Sequence, residues 1–141
     1  MSVTLHATCV AIGGRGVLIT GPSGSGKSDL ALRLIDRGAI LVSDDGTIVE
    51  ARDGRLLARS GPNIAGRIEA RGVGILAFPH RPEAPLGLAI ALDGVPQRLP
   101  EDPLPTRQID GIALPCLALA PFEASAAFKV EQALSVYGLT P

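Results

Sequence analysis

Eight consecutive residues, Gly21-Pro22-Ser23-Gly24-Ser25-Gly26-Lys27-Ser28, carry the clearest chemistry in the chain. They satisfy G-x-x-x-x-G-K-[ST] at every fixed position. The glycines let the backbone curl until successive N–H groups converge on phosphate oxygens. The start of a following helix adds its positive dipole end. Lys27 would neutralise the β/γ charge of a nucleotide, and the Ser28 hydroxyl can ligate Mg²⁺. A chance Gly/Ser loop would lack the flanking pattern seen here, an apolar strand before and a helical pattern after. The motif by itself says nucleotide binding and does not choose between a kinase and an ATPase.

Two further groups of residues could act on a phosphate held there. Ile40-Leu41-Val42-Ser43 ends in Asp44-Asp45, which places paired carboxylates at the end of a strand. Alone, Asp-Asp-Gly is ordinary turn chemistry. Next to a phosphate loop, at least one of the pair is a candidate to order Mg²⁺ or to accept a proton from an attacking hydroxyl. Glu69-Ala70-Arg71-Gly72-Val73-Gly74 sets an acid and a base two residues apart before flexible glycines. Such a segment suits a metal-binding carboxylate, although alone it reads as a surface ion pair before a turn. His6 in the first strand and His80 in a Pro-rich loop are lone histidines, for which a structural or solvated role is the ordinary reading.

These residues must be positioned by a small α/β fold. Residues 3–12 are rich in β-formers and read as one strand, followed by a turn at 13–16 and a short apolar strand at 17–20. Leu30, Ala31, Leu34 and Ile35 recur at helical spacing over 27–37, and Gly38 is a helix stop. A buried strand follows at 40–43. Segments 47–51 and 55–58 flank Asp53-Gly54, a hairpin signal. Residues 64–70 read as one or two helical turns, broken by Gly72-Val73-Gly74 before a strand at 75–78. Residues 79–85 form a loop and 86–92 a strand. The stretch 93–108 carries Pro96, Pro100, Pro103 and Pro105 and reads as a long loop without regular structure. A last strand at 112–119 leads to a closing helix with Pro121 at its first position and an end near Gly138. Strands outnumber helices and hairpins are present, so the sheet is expected to be mixed.

Composition excludes several classes. The chain has 141 residues, which suits one domain spanning 1–141. Hydrophobic residues make up 46%, enough for a continuous core, whereas aromatics are only 3% with no Trp. A base-stacking nucleic-acid protein needs more rings than this. Formal net charge is −1, so neither nucleic acid nor an anionic membrane is expected as the main partner. No apolar run approaches a membrane span, and the N-terminus lacks the form of a signal peptide. Cys9 and Cys116 lie in apolar sequence without a partner motif, which suggests buried free thiols and a cytoplasmic location.

Taken together, four segments resemble HPr kinase/phosphorylase, the bacterial enzyme that phosphorylates a serine of the phosphocarrier HPr. They are Leu5-His6-Ala7, with His6 lying 21 residues before Lys27; Val17-Leu18-Ile19-Thr20 running into the loop; Arg37-Gly38-Ala39-Ile40-Leu41-Val42-Ser43-Asp44-Asp45; and Ile68-Glu69-Ala70-Arg71-Gly72-Val73-Gly74-Ile75. The joint spacing is more specific than the loop alone. The resemblance implies an α/β P-loop kinase core with a mixed sheet, similar to the nucleotide-binding core of phosphoenolpyruvate carboxykinase. It implies ATP and Mg²⁺ as cofactors, with Lys27 on the transferring phosphates and Ser28 and Glu69 on the metal. Asp44 would be the base that takes the serine proton, and His6 would support the site beside Asp44. It also implies a homo-oligomer, hexameric in the family. The usual family member has an N-terminal domain, whereas this chain starts at the kinase core and resembles the short forms. The family also carries an Arg-Asn pair after its late Val-Pro segment. Here Leu114-Pro115 runs on to Glu123 with no arginine, which implies a kinase with weak phosphorylase activity. The rival readings are a small-molecule P-loop kinase, with Arg67, Arg71, Arg81 and Arg107 as candidate cations, and a non-catalytic ATP sensor.

Overall fold

The computed structural model describes residues 2–140. Eleven strands and two helices alternate in the order β1 (Ser2–Leu5), β2 (Ala7–Ile12), β3 (Arg15–Thr20), α1 (Lys27–Asp36), β4 (Ile40–Ser43), β5 (Thr47–Arg52), β6 (Arg55–Ser60), β7 (Arg67–Ala70), β8 (Gly74–Ala77), β9 (Glu83–Ala91), β10 (Thr106–Ile109), β11 (Ile112–Ala118) and α2 (Ala126–Tyr137). The main sheet has nine strands, with β1-β5-β6-β9-β3-β2-β4 in spatial order; β11 joins β9 and β10 joins β11. β3, β9 and β11 run parallel while the other pairs are antiparallel, so the sheet is mixed as the hairpin signals require. β7 and β8 form a separate two-stranded hairpin.

The central strands are buried on both faces. Val17 and Ile19 of β3, Val10 of β2 and Leu88 and Ile90 of β9 join Leu30, Leu34, Val130 and Leu134 of the helices in one core. The intervening Leu18, Cys9, Ala11 and Ala89 join Val49, Leu56 and Leu114 in a second core on the opposite face. This two-sided burial explains why Val17-Leu18-Ile19 is a continuous apolar run rather than an alternation. The α1 end is a full Schellman motif: the Ala39 N–H donates to the Leu34 carbonyl and the Gly38 N–H to the Ile35 carbonyl, both at 3.0 Å. Gly38 sits at φ 110°, where a side chain would be strained.

Several elements differ from the sequence expectation. The strand expected over 3–12 is two, because the chain bends at His6 and changes partners, β1 pairing with β5 and β2 with β3 and β4. The helical turns expected over 64–70 are absent; Arg67–Ala70 is a strand whose exposure alternates out, in, out, in. β9 starts at Glu83, with Pro85 inside it opposite Leu57. The closing helix starts at Ala126, and residues 121–125 form turns instead. Only the last part of the 93–108 stretch is regular, as β10. Cys9 is fully buried, which pushes its thiol up to about 12, whereas Cys116 is only partly buried. No helix among the described residues is long and apolar enough to cross a membrane.

The packing of α2 rests on Leu134. Its side chain occupies the space over Gly87 of β9, where an added Cβ would lie 2.9 Å from Leu134 Cδ1. Leu134→Ala is expected to lower the unfolding free energy by about 2–5 kcal/mol. Urea denaturation checks this, and a loss below about 1 kcal/mol would mean that α2 is not anchored there.

Candidate functional site

β3 ends at Thr20 and the chain wraps through residues 21–28 into α1. The Ser25 N–H donates to the Pro22 carbonyl at 3.1 Å, which closes the turn. Gly21 sits at φ 152°, and a Cβ there would fall 2.6 Å from Ser25 Oγ and 3.3 Å from Leu92 Cβ, so the turn favours glycine. Gly26 precedes the helix at φ 99°. Pro22, Ser23 and Gly24 face solvent. Lys27 is 5% exposed, and its Nζ donates to the carbonyls of Gly21 at 2.8 Å and Pro22 at 3.1 Å. The ammonium thus holds the loop curled. Carbonyl dipoles alone compensate a buried charge poorly, so an anion fits there.

Asp44 is the meeting point of three elements. Its Oδ1 accepts from Ser28 Oγ of α1 at 2.6 Å and from Thr8 Oγ1 of β2 at 2.9 Å. Its Oδ2 accepts from the Glu69 N–H of β7 at 3.2 Å. Thr8 in turn accepts from the Asp45 N–H at 3.2 Å. Sequence reasoning missed Thr8. The signal lies in the antiparallel register of β2 and β4, in which Cys9 pairs with Ser43; the next pair outward is Thr8 and Asp44, and this register is not local in sequence.

His6 does not reach Asp44. Its Nδ1 lies 3.3 Å from Asp45 Oδ1 and its Nε2 lies 3.3 Å from Ser23 Oγ, so its partners are the second carboxylate and the loop. Asp45 adopts φ 52°, a left-handed conformation uncommon outside glycine. A cavity of about 400 Å³ opens here, lined by Ser23, Gly24 and Gly26 to Ser28 of the loop, by Asp45, by Glu69 and Arg71 of the hairpin, and by Leu32 and Phe122. Asp44 lies behind Ser28, half-buried. Of the other candidate cations, Arg81 Nε donates to the Glu83 carbonyl at 2.9 Å. Phe122, expected on the closing helix, instead stands at the cavity.

The donors suit a magnesium nucleotide. They are all oxygen: the Ser28 hydroxyl, the Asp44 carboxylate to which it donates, and Glu69, which lines the same cavity. That is the hard-ligand chemistry Mg²⁺ prefers. Among the described residues no three His, Cys, Asp or Glu side chains converge as a metal cage. A magnesium ion here would therefore draw its remaining ligands from phosphate and water, its usual habit.

Comparison with known proteins identifies the family. The family whose model matches residues 1–81 is described as the HPr Serine kinase C-terminal domain. The chain belongs to this family. It is 49% identical over 72 residues to HPr kinase/phosphorylase of Clostridium beijerinckii, covering 51% of the chain and 24% of that relative. It is 43% identical over 89 residues to the enzyme of the same name from Clostridium tetani, covering 63% of the chain and 28% of the relative. The chain thus spans about a quarter of the length of the curated relatives it matches. The solved structure of the Hpr(Ser) kinase/phosphatase from Coxiella burnetii superposes with a TM-score of 0.80 at 30% identity, covering 94% of each chain. The mixed α/β fold is therefore shared beyond the matched first half.

The Thr8 hydroxyl gives a test of the site's construction. Thr8→Val keeps the shape and deletes the donor to Asp44 and the acceptor for Asp45. Leaving such groups unpaired is expected to destabilise the fold by about 1–3 kcal/mol. A urea midpoint unchanged from wild type would contradict the network.

Proposed function

We propose that the chain is an ATP-dependent protein-serine kinase acting on the phosphocarrier HPr, and that it uses Asp44 as the general base. The observation that carries this reading is the 2.6 Å hydrogen bond from Ser28 to Asp44, which sets a carboxylate directly behind the phosphate loop. A protein that only sensed ATP would have no need of a proton acceptor there. The family membership and the names of the relatives support HPr as the substrate. The proposal carries with it a cytoplasmic site of action and assembly as a homo-oligomer. It also extends the likeness to the phosphoenolpyruvate carboxykinase core, which the mixed sheet suits.

In this reading residues 21–28 hold the nucleotide phosphates with backbone N–H groups, and Lys27 turns from the loop carbonyls to the β/γ oxygens. Mg²⁺, held by Ser28 and Glu69, would neutralise charge developing on the phosphate oxygens. Asp44 accepts the proton of the incoming serine hydroxyl as its oxygen bonds to the γ-phosphorus and the bond to ADP breaks. A carboxylate offers about four lone-pair sites and three are in use here, so one remains for the substrate. His6 orients Asp45 and the Ser23 turn. The reverse reaction brings two anions together and gains most from extra positive charge. Lys129, the nearby cation offered in place of the family's missing arginine, pairs on the surface with Glu123 at 2.7 Å, and the weak phosphorylase rests on that missing arginine.

The test is incubation with ATP, Mg²⁺ and purified HPr, read by intact mass. Wild-type protein is expected to add one phosphoryl group to HPr. Lys27→Ala should lose both ATP affinity and transfer. Asp44→Asn should keep ATP binding and transfer about 10²–10⁴-fold more slowly. An Asp44→Asn protein of near-normal rate would remove the base from the proposal.

A further inference from the structure

One feature of the cavity is left over by this chemistry. The chain has three phenylalanines, one tyrosine and no tryptophan, yet one of these few rings stands at the phosphate loop and is 72% exposed. A Cβ on Gly26 would fall 2.9 Å from Phe122 Cζ and 3.0 Å from Cε1, so the ring edge lies over the residue that opens α1. The ring is held there by its backbone. Arg33 of α1 donates through Nη2 to the carbonyl of Pro121 and through Nη1 to that of Glu123 at 3.2 Å, gripping the carbonyls on either side of Phe122. Arg33 is itself braced by Asp29, one turn back on α1, at 3.1 Å.

A single exposed apolar side chain carries little information. This one is different in two respects: a guanidinium clamps its backbone, and its ring shares a cavity with the phosphate loop. Ser28 and Leu32 lie four residues apart on α1 and so on the same face of the helix. Leu32 and Phe122 give the cavity an apolar surface beside its polar groups, Lys27, Asp45, Glu69 and Arg71. A nucleotide has the same two-part character, a polyanion joined through ribose to a flat apolar ring.

We propose that Phe122 is the surface on which the nucleobase stacks, and that Arg33 is the positioning residue that holds Phe122 there. The inference rests on the nucleotide reading of the loop and adds the base to it. The base is held by the face of a ring, and the energy is of the kind seen when bases stack on aromatic side chains, where truncation to alanine costs at least about fivefold in affinity.

The test uses two ligands, magnesium ATP and magnesium tripolyphosphate, which share the phosphate chain and differ in the nucleoside. Affinities are measured by calorimetry for wild type, Phe122→Ala and Phe122→Trp. Phe122→Ala is expected to bind ATP at least about fivefold more weakly and tripolyphosphate as wild type does. Phe122→Trp should retain ATP affinity, and its indole, the sole one in the chain, should change emission with ATP and not with tripolyphosphate. Arg33→Ala should weaken ATP binding in the wild-type background and have no further effect in Phe122→Ala. Unchanged ATP affinity in Phe122→Ala would overturn the inference alone. Tighter binding of both ligands by Phe122→Ala would also overturn it, since the ring would then be a cover over the loop. Failure of wild-type protein to bind either ligand would overturn the nucleotide reading and the inference together.

Discussion

The Asp44 carboxylate is the constraint on which the site depends. It receives a hydroxyl from the first turn of α1, a hydroxyl from β2 and a backbone N–H from β7. The hairpin is also anchored by Ile68 of β7, which is buried in one core with Val10, Val17 and Leu30. A carboxylate only accepts, and each of its partners here donates. Hydrogen bonds to an ionised group are worth more than neutral ones, so this junction adds to the burial of Ile68 in setting the hairpin against the loop. Fixing the hairpin brings Glu69 and Arg71 to the cavity.

The phosphate loop supplies the complementary charge. Lys27 is buried, and its ammonium holds the carbonyls of Gly21 and Pro22, so the loop is curled before any anion arrives. Pre-ordering of this kind lowers the entropy cost of binding. On the opposite side the Arg33 clamp fixes residues 121–123 and so shapes the apolar part of the same cavity. One helix, α1, carries Lys27, Ser28, Leu32 and Arg33. The end of the 21–28 loop, the Asp44 junction and the apolar part of the cavity are therefore set by a single rigid element.

What the sequence made legible was local. The 21–28 loop, α1 with its Gly38 stop, and β4 all follow from residue types within a few positions. The hairpin at Asp53-Gly54 does too, and its two residues take φ 54° and 77° as a tight primed turn requires. What the sequence hid depends on partners far along the chain. Ile64 and Ile68 sit at helical spacing, and four residues of β7 are too few for a period of two to outweigh it. Thr8 becomes a site residue only through the β2–β4 register. Pro121 looks like a helix start, but Arg33 takes the carbonyls of 121 and 123 and the helix begins at Ala126. His6 stands in the site, yet its partner could be read only from the structure, because Asp44 and Asp45 are adjacent and point to different neighbours.

Asp44 ties the Glu69 backbone of the β7–β8 hairpin to the 21–28 loop. Amide hydrogen exchange tests this tie most directly, comparing wild type with Asp44→Ala. The Glu69 amide donates to Asp44 at 3.2 Å, so its protection reports this contact. Loss of a hydrogen bond to a charged group is worth about 1.5–3 kcal/mol, so exchange at Glu69 should rise tenfold or more while β3 and β9 stay protected. Unchanged protection at Glu69 would show that Asp44 does not tie the hairpin to the loop, as would a uniform rise across β3 and β9.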